Sequence, residues 1–345
     1  MKADNQWAIM KFICWLLGIF FLLGSPFMPQ HAIAKDWPSK TITVDVGVTP
    51  GGFTDTSTRA LVAEMSKTLG VPIVVVNMPG GGGGIAAENV FRVPNDGYTW
   101  HAQGSAFRTF AVMGLHASDP KDWYCVPTIT YVGAIAVKED SPYKTFPDLV
   151  EAMKKDPGKI PYAASPLASA WRISMEILRM ATGLSGRLVV YPGAATSLVA
   201  LLSGDIQFAM CGIGEQAELL KGKKIRALAA FNEKPYQLKG YGEIPSMTDY
   251  LPKLKSYLPY QGWSSISLRA DIPKPILKKI DEAFLKAIQT KSVKEYCERF
   301  EADMIGVVGE DAQKMYLKQT SLESWLLYEL GVAKKNPTEF KIPKP

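Results

Sequence analysis

Two short stretches carry residue types and spacings that can do chemistry: TPGGFTD (49–55) and NMPGGGGG (77–84). Glycine lets the main chain take positive φ and lets a ligand approach backbone N–H groups closely. Each stretch stands between an apolar β-branched run and a helical pattern. Each therefore presents a helix N-terminus, with unpaired N–H groups and a partial positive charge. That combination favours capture of an anion, whether phosphate or carboxylate. One such loop reads as a flexible turn. Two at equivalent places after neighbouring strands read as a binding site at the carboxyl ends of a parallel sheet.

Phosphate fits these loops poorly. No Lys follows the glycines as the G-x-x-x-x-G-K-[ST] cradle requires. A G-x-G-x-x-[GA] match runs through Gly81, Gly83 and Ala86, but five successive glycines make that match cheap. The acidic residue that should follow about twenty positions on is missing from HAQGSAF (101–107). Hydrolytic chemistry lacks its parts as well. There is no G-x-S-x-G elbow, and His101 and His116 have no neighbouring set of zinc ligands. Asp55 can serve as a base, yet it and Thr54 read better as caps of the helix that follows. No metal and no cofactor is expected.

The elements that must position the loops alternate regularly. TITVDVGV (41–48) reads as a strand. The next segment reads as a helix with Leu61, Met65 and Leu69 on one face and Gly70 as its stop. VPIVVV (71–76) reads as a strand buried on both faces. A short helix over 85–92 and a third strand after PNDG complete a β-α-β-α-β unit with a parallel sheet. TYVGAIAV (130–137), IPYAAS, RLVVY, DIQFAMC and KIRALAA read as further strands, with helices between them over FPDLVEAMKKDPGK (146–159, including its stop), 168–182, ATSLVALLSG (195–204) and GEQAELLKG (214–222). A strand near WSSISL and helices over 273–290, 292–301 and 309–330 follow. Tyr257, Tyr260 and Trp263 lie close in sequence; they have the makings of a pocket wall, but each read singly fits core packing better.

Composition sets the frame. The 345 residues are 47% hydrophobic and 21% charged, as in a globular chain of about two domains. The net charge of +6 comes from scattered Lys and Arg, which points away from nucleic acid and mildly towards anionic small ligands. The apolar run FICWLLGIFFLLG is followed by Ala32-Ile33-Ala34, a small-x-small pattern, so residues 1–34 read as a secretory signal cut after Ala34. A retained anchor is the alternative. Removal of the signal leaves Cys125, Cys211 and Cys297, without a C-x-x-C pair, and these read as buried free thiols.

At the paired loops the sequence resembles the substrate-binding proteins of tripartite tricarboxylate transporters, the Bug family. The resemblance rests on Trp37-Pro38-Ser39, on Pro50 to Asp55, on Asn77-Met78-Pro79-Gly80 and on Asp96-Gly97-Tyr98-Thr99. It continues in DPGKIPYAAS (156–165), YPGAATSLVALLSGDIQFAM (191–210), KIRALA (224–229) and EIPSMTDY (243–250), so it covers nearly the whole mature chain. It implies an α/β, two-lobe periplasmic-binding-protein-like fold of type II, each lobe a mixed or parallel sheet flanked by helices, with the ligand cleft between them. The first lobe would span 36–135 and 243–345, and the second 136–242.

The family's two glycine loops grip one carboxylate of the ligand. Carried over, the candidate ligand-binding set is Gly51, Gly52, Phe53, Thr54 and Asp55 in the first loop and Gly80, Gly81 and Gly82 in the second. Ser105, Ser165, Ser169, Arg172 and Cys211 complete it. This chain departs from the family pattern in the second lobe. Pro166 and Ala168 stand where glycines are usual, Arg172 where a His is often found, and Cys211 where many members carry Asp. Arg172 offers a permanent fork of donors for a carboxylate, so these changes lean towards a second acidic group or a bulky polar acid.

The implied function is that of a monomeric extracytoplasmic receptor. It would capture a small mono-, di- or aromatic carboxylate by lobe closure and hand it to the membrane permease subunits of a tripartite transporter. An exported enzyme on the same architecture and a sensor docking on a signalling partner are the alternatives.

Overall fold

The computed structural model describes residues 37–164, 169–258 and 262–345. The expected signal segment, together with Ser165, Pro166, Ala168 and Tyr260, lies outside these residues. Among the described residues no helix is long and apolar enough to cross a membrane.

The opening unit forms as its pattern predicts. Strand β1 (Ile42–Val46) pairs in parallel with β2 (Ile73–Asn77) and with β3 (Thr99–Gln103). Helices α1 (Phe53–Leu69) and α2 (Gly84–Arg92) connect them, and Leu61 and Met65 of α1 are buried. The next strand, β4 (Trp123–Tyr131), is followed almost at once by β5 (Gly133–Lys138), which belongs to a second sheet. That sheet gathers β6 (Pro161–Ala163), β7 (Arg187–Leu188), β8 (Phe208–Gly212) and β9 (Ile225–Ala230) in the order β7-β6-β8-β5-β9. Its helices are α3 (Phe146–Lys155), α4 (Ala170–Thr182), α5 (Ala194–Ser203) and α6 (Ile213–Lys221).

A small hairpin of β10 (Tyr236–Leu238) and β11 (Gly242–Ile244) leads back. Strand β12 (Gly262–Arg269) then inserts antiparallel between β3 and β4, and β13 (Ala302–Met304) closes the edge, giving the order β13-β4-β12-β3-β1-β2. Helices α7 (Lys274–Ala287), α8 (Lys291–Arg299) and α9 (Gly309–Glu329) belong to this last part of the chain. The result is two α/β lobes, each with its own mixed sheet.

Four expectations need correction. TYVGAIAV is two strands rather than one, because the chain changes sheets at Val132. Gly133 permits the change, since a Cβ there would sit 2.4 Å from the Trp171 ring. Strand β2 is an edge strand and not buried on both faces: Val74 is 48% and Val76 37% exposed. RLVVY pairs only over Arg187–Leu188. Neither Thr54 nor Asp55 caps α1, whose N-cap is Gly52 without a side-chain bond.

Asp55 has another task. Its buried carboxylate accepts from the Gly51 N–H at 2.9 Å, from Asn77 Nδ2 at 2.8 Å and from Arg59 Nε at 3.0 Å. Asn77 Nδ2 also donates to the Val48 carbonyl at 3.1 Å, and Arg59 reaches Asn77 Oδ1 at 2.7 Å. One carboxylate thus ties the start of the first glycine loop to the end of β2, where the second loop begins. The five glycines have separate reasons. Gly80 to Gly83 all take positive φ, between 55° and 127°, a run that side chains with a Cβ resist. Gly84 has an ordinary φ of −61°, but a Cβ there would lie 2.0 Å from the Leu115 carbonyl oxygen. Beneath the loop, Gln103 Nε2 donates to the Gly82 carbonyl at 2.7 Å.

Behind β3 the core holds two buried polar features. Arg108 and Glu323 form an ion pair with both side chains fully buried, and the guanidinium lies 4.1 Å from the Trp263 ring centroid. His101 is enclosed by Phe107, Phe110 and Trp123, and burial pushes its pKa down from 6.5 to about 3. Cys125, Cys211 and Cys297 are buried, and among the described residues none of them is paired, as expected.

Two outcomes follow. Removing the knot with Asp55→Ala strands the Gly51 and Asn77 donors, and should lower the unfolding free energy by about 2–4 kcal/mol in urea titration. The folded His101 stays neutral where the unfolded chain takes up a proton, so its contribution to stability falls as pH drops from 6.5 towards about 3. The free-energy difference between the native chain and His101→Phe should therefore shift against the native chain below pH 6.5, by up to about 1.4 kcal/mol per pH unit.

Candidate functional site

The three parallel strands of each sheet end in loops that lead into helices, and several of these loops face one cleft of about 610 Å³ including its open mouth. From the first lobe come Val48, Thr49, Gly52, Phe53 and Thr54 at the start of α1, and Gln103 to Ala106 after β3. From the second come Ser169 to Trp171 at the start of α4, Pro192 to Ala194 at the start of α5, and Glu215 in the first turn of α6. Tyr131 stands at the crossing between the lobes. The N-termini of α1, α4 and α5 thus converge on one space. Each offers unpaired N–H groups and about half a positive charge. Ser105 adds a hydroxyl that is buried without a hydrogen-bond partner among the described residues, an arrangement that calls for an occupant.

The sequence-derived candidates divide. Gly52, Phe53, Thr54, Ser105 and Ser169 line the cleft. Gly80 and Gly82 line an adjoining recess that shares Val48, Thr49, Gln103 and Pro192 with it. The two loops therefore meet around Gln103, but the second faces the recess. Gly81 faces a separate surface hollow beside Glu88 and His116. Gly51 spends its N–H on Asp55, and neither residue lines the cleft.

Arg172 does not reach the cleft. Its guanidinium pairs with Glu176 one turn along α4 and lies 3.5 Å from the Tyr162 hydroxyl, because residues four apart meet on a helix face. Cys211 packs in the hydrophobic core of the second sheet beside Ala134 and Ile213. Ser165 lies outside the described residues.

Among the lining residues that escaped the sequence reading, Gln103, Tyr131, Trp171 and Glu215 bring the long or aromatic side chains. The Phe53 and Tyr131 rings lie 3.9 Å apart between centroids, and Tyr131 meets Trp171 edge-on at 5.0 Å. Trp263, from the aromatic group singled out in the sequence, is core, as expected. The Glu215 carboxylate accepts from the Gly212 N–H at 3.0 Å and from the Trp171 indole. Burial outweighs those donors and pushes its pKa up to about 7.

Comparison with known proteins agrees with this architecture. The model of the tripartite tricarboxylate transporter family receptors matches residues 57–331. A protein of Cupriavidus necator, described as a UPF0065 protein in the gbd 5′ region, is 26% identical over 314 residues, covering 90% of this chain and 94% of its own. The periplasmic binding protein BugD superposes with a TM-score of 0.76 at 22% identity, over 87% of this chain and 100% of its own. The R. palustris protein Rpa4515, solved with adipate, superposes with a TM-score of 0.76 at 23% identity, over 86% of this chain and 99% of its own. With a match across most of its length, the chain belongs to the family of tripartite tricarboxylate transporter receptors.

Proposed function

We propose that this protein is a periplasmic receptor that captures a small organic carboxylate by closure of its two lobes and delivers it to the membrane subunits of a tripartite transporter. One observation carries the reading: three helix N-termini and the Ser105 hydroxyl, without a partner among the described residues, surround a single cleft between the sheets. That cluster of donors suits a carboxylate without any lysine or arginine among the described lining residues. The adipate in Rpa4515 supports the same ligand class. The closing bodies are the lobe of 36–135 with 243–345 and the lobe of 136–242, with the first cut drawn back to Val132, where the chain changes sheets. Export by cleavage after Ala34 belongs to this reading, as does action as a monomer.

Binding rather than catalysis is favoured because Asp55, the base an enzyme would use, has its carboxylate committed to Gly51, Asn77 and Arg59 away from the cleft. Closure follows if the ligand bridges donors on both lobes, since only differential affinity shifts an open–closed equilibrium.

A thermal-shift screen of mono-, di- and aromatic acids should find a ligand that stabilises the native chain, by about 2.7 kcal/mol at a hundredfold excess over Kd. Ser105→Ala should then weaken that ligand by roughly tenfold, read by calorimetry. A broad panel of acids without a single stabilising member would defeat the proposal.

A further inference from the structure

The cleft carries one feature that an anion clamp does not need. Glu215 presents a carboxyl group to it, and among the described residues Glu215 has no ion-pair partner. The titratable groups on which its charge acts are Tyr131 at the end of β4, Tyr296 on α8 and Cys211 on β8. All three are buried with their pKa values pushed up, so none supplies positive charge. Two donors, the Gly212 N–H and the Trp171 indole, hold the carboxylate in place without neutralising it.

Around it stands an aromatic wall of Phe53, Tyr131 and Trp171. Close packing builds this wall. A Cβ on Gly212 would come 2.8 Å from the Tyr131 ring and 3.0 Å from Glu215 Oε2. One on Gly262 would come 3.3 Å from both the Tyr131 and the Trp171 rings. Bare backbone at these points lets the rings and the carboxylate occupy one corner.

We propose that Glu215 and this wall form a subsite for a quaternary ammonium group, so that the ligand is an acid carrying a trimethylated ammonium as well as its carboxylate. The proposal rests on the carboxylate reading above and adds the other end of the ligand. A primary ammonium needs three acceptors for its N–H groups, and this corner offers one carboxylate and ring surface. A trimethylated, quaternary ammonium has no N–H and needs no acceptor. It gains from aromatic contact and from one counter-charge. A second carboxylate in the same corner would instead require Glu215 to be protonated and to donate a hydrogen bond. The two occupants therefore bind with opposite pH dependence. With the Glu215 pKa near 7, affinity for the ammonium acid should rise about tenfold between pH 6 and pH 8, whereas affinity for a dicarboxylate should fall.

The test is calorimetric titration of the mature chain with trimethylammonio-alkanoates of one to four methylenes. Each is compared with its tert-butyl carbon isostere, and adipate is titrated alongside. At least one ammonium acid should bind about tenfold or more tightly than its isostere at pH 8, and should release protons on binding between pH 6 and pH 7. Glu215→Gln should abolish that preference. If this variant does not fold, the pH profile and proton balance of the native chain decide. Isosteres binding as tightly as the ammonium acids at every length, or adipate binding most tightly with affinity falling as pH rises, overturns the subsite and leaves the carboxylate reading standing. Failure of every acid to bind overturns both.

Discussion

The site depends on the Asp55 carboxylate more than on any group that faces the cleft. Held by Gly51, Asn77 and Arg59, it fixes two loops that follow different strands and share no backbone pairing of their own. Fixing them fixes the start of α1, and so the direction in which the free N–H groups of that helix point. Gln103 does the complementary work from below through the Gly82 carbonyl. Each is a polar side chain spent on scaffold, where an unpaired partner would be costly. Binding groups supplied by backbone need such fixtures, because a loop of glycines has no side chains with which to hold itself.

The same logic explains the division of labour between the lobes. The first lobe's cleft face is mostly main chain, small residues and one ring. The second brings two further helix starts, the Trp171 ring and the one carboxyl group. A grip made of backbone recognises charge and little else. Discrimination therefore falls to the corner where side chains differ in size, polarity and protonation. Burial leaves Glu215 poised near neutrality, which makes that corner responsive to what enters it.

Most of the scaffold was legible in the residues. The opening β-α-β-α-β unit, the helices after it and the buried thiols follow from periodicity, stop signals and spacing. What stayed hidden depended on partners far away in sequence. TYVGAIAV has one continuous strand pattern, and only the Trp171 ring against Gly133 shows why it splits. VPIVVV has a core composition, yet its place at the sheet edge is set by the other five strands. Arg172 had the right chemistry for a ligand, but Glu176 four residues on was a visible competitor. Glu215 lay in a helical run that carried no signal of a site. Nothing nearby in sequence tells that a first-turn side chain looks into a cleft. The glycine loops were legible because their requirement is local, in φ values that few other residues adopt.

The insertion of β12 between β3 and β4 reaches beyond the folded molecule. Ser265 pairs with Gln103 across the sheet, so the central strand of the first lobe arrives after the whole second lobe has been made. A growing chain that has already emitted β1 to β4 still lacks the strand that joins them, and β4 stays apart from β3 until then. Completion of the first lobe is deferred to nearly the end of synthesis, as non-local pairing makes such sheets slow to assemble.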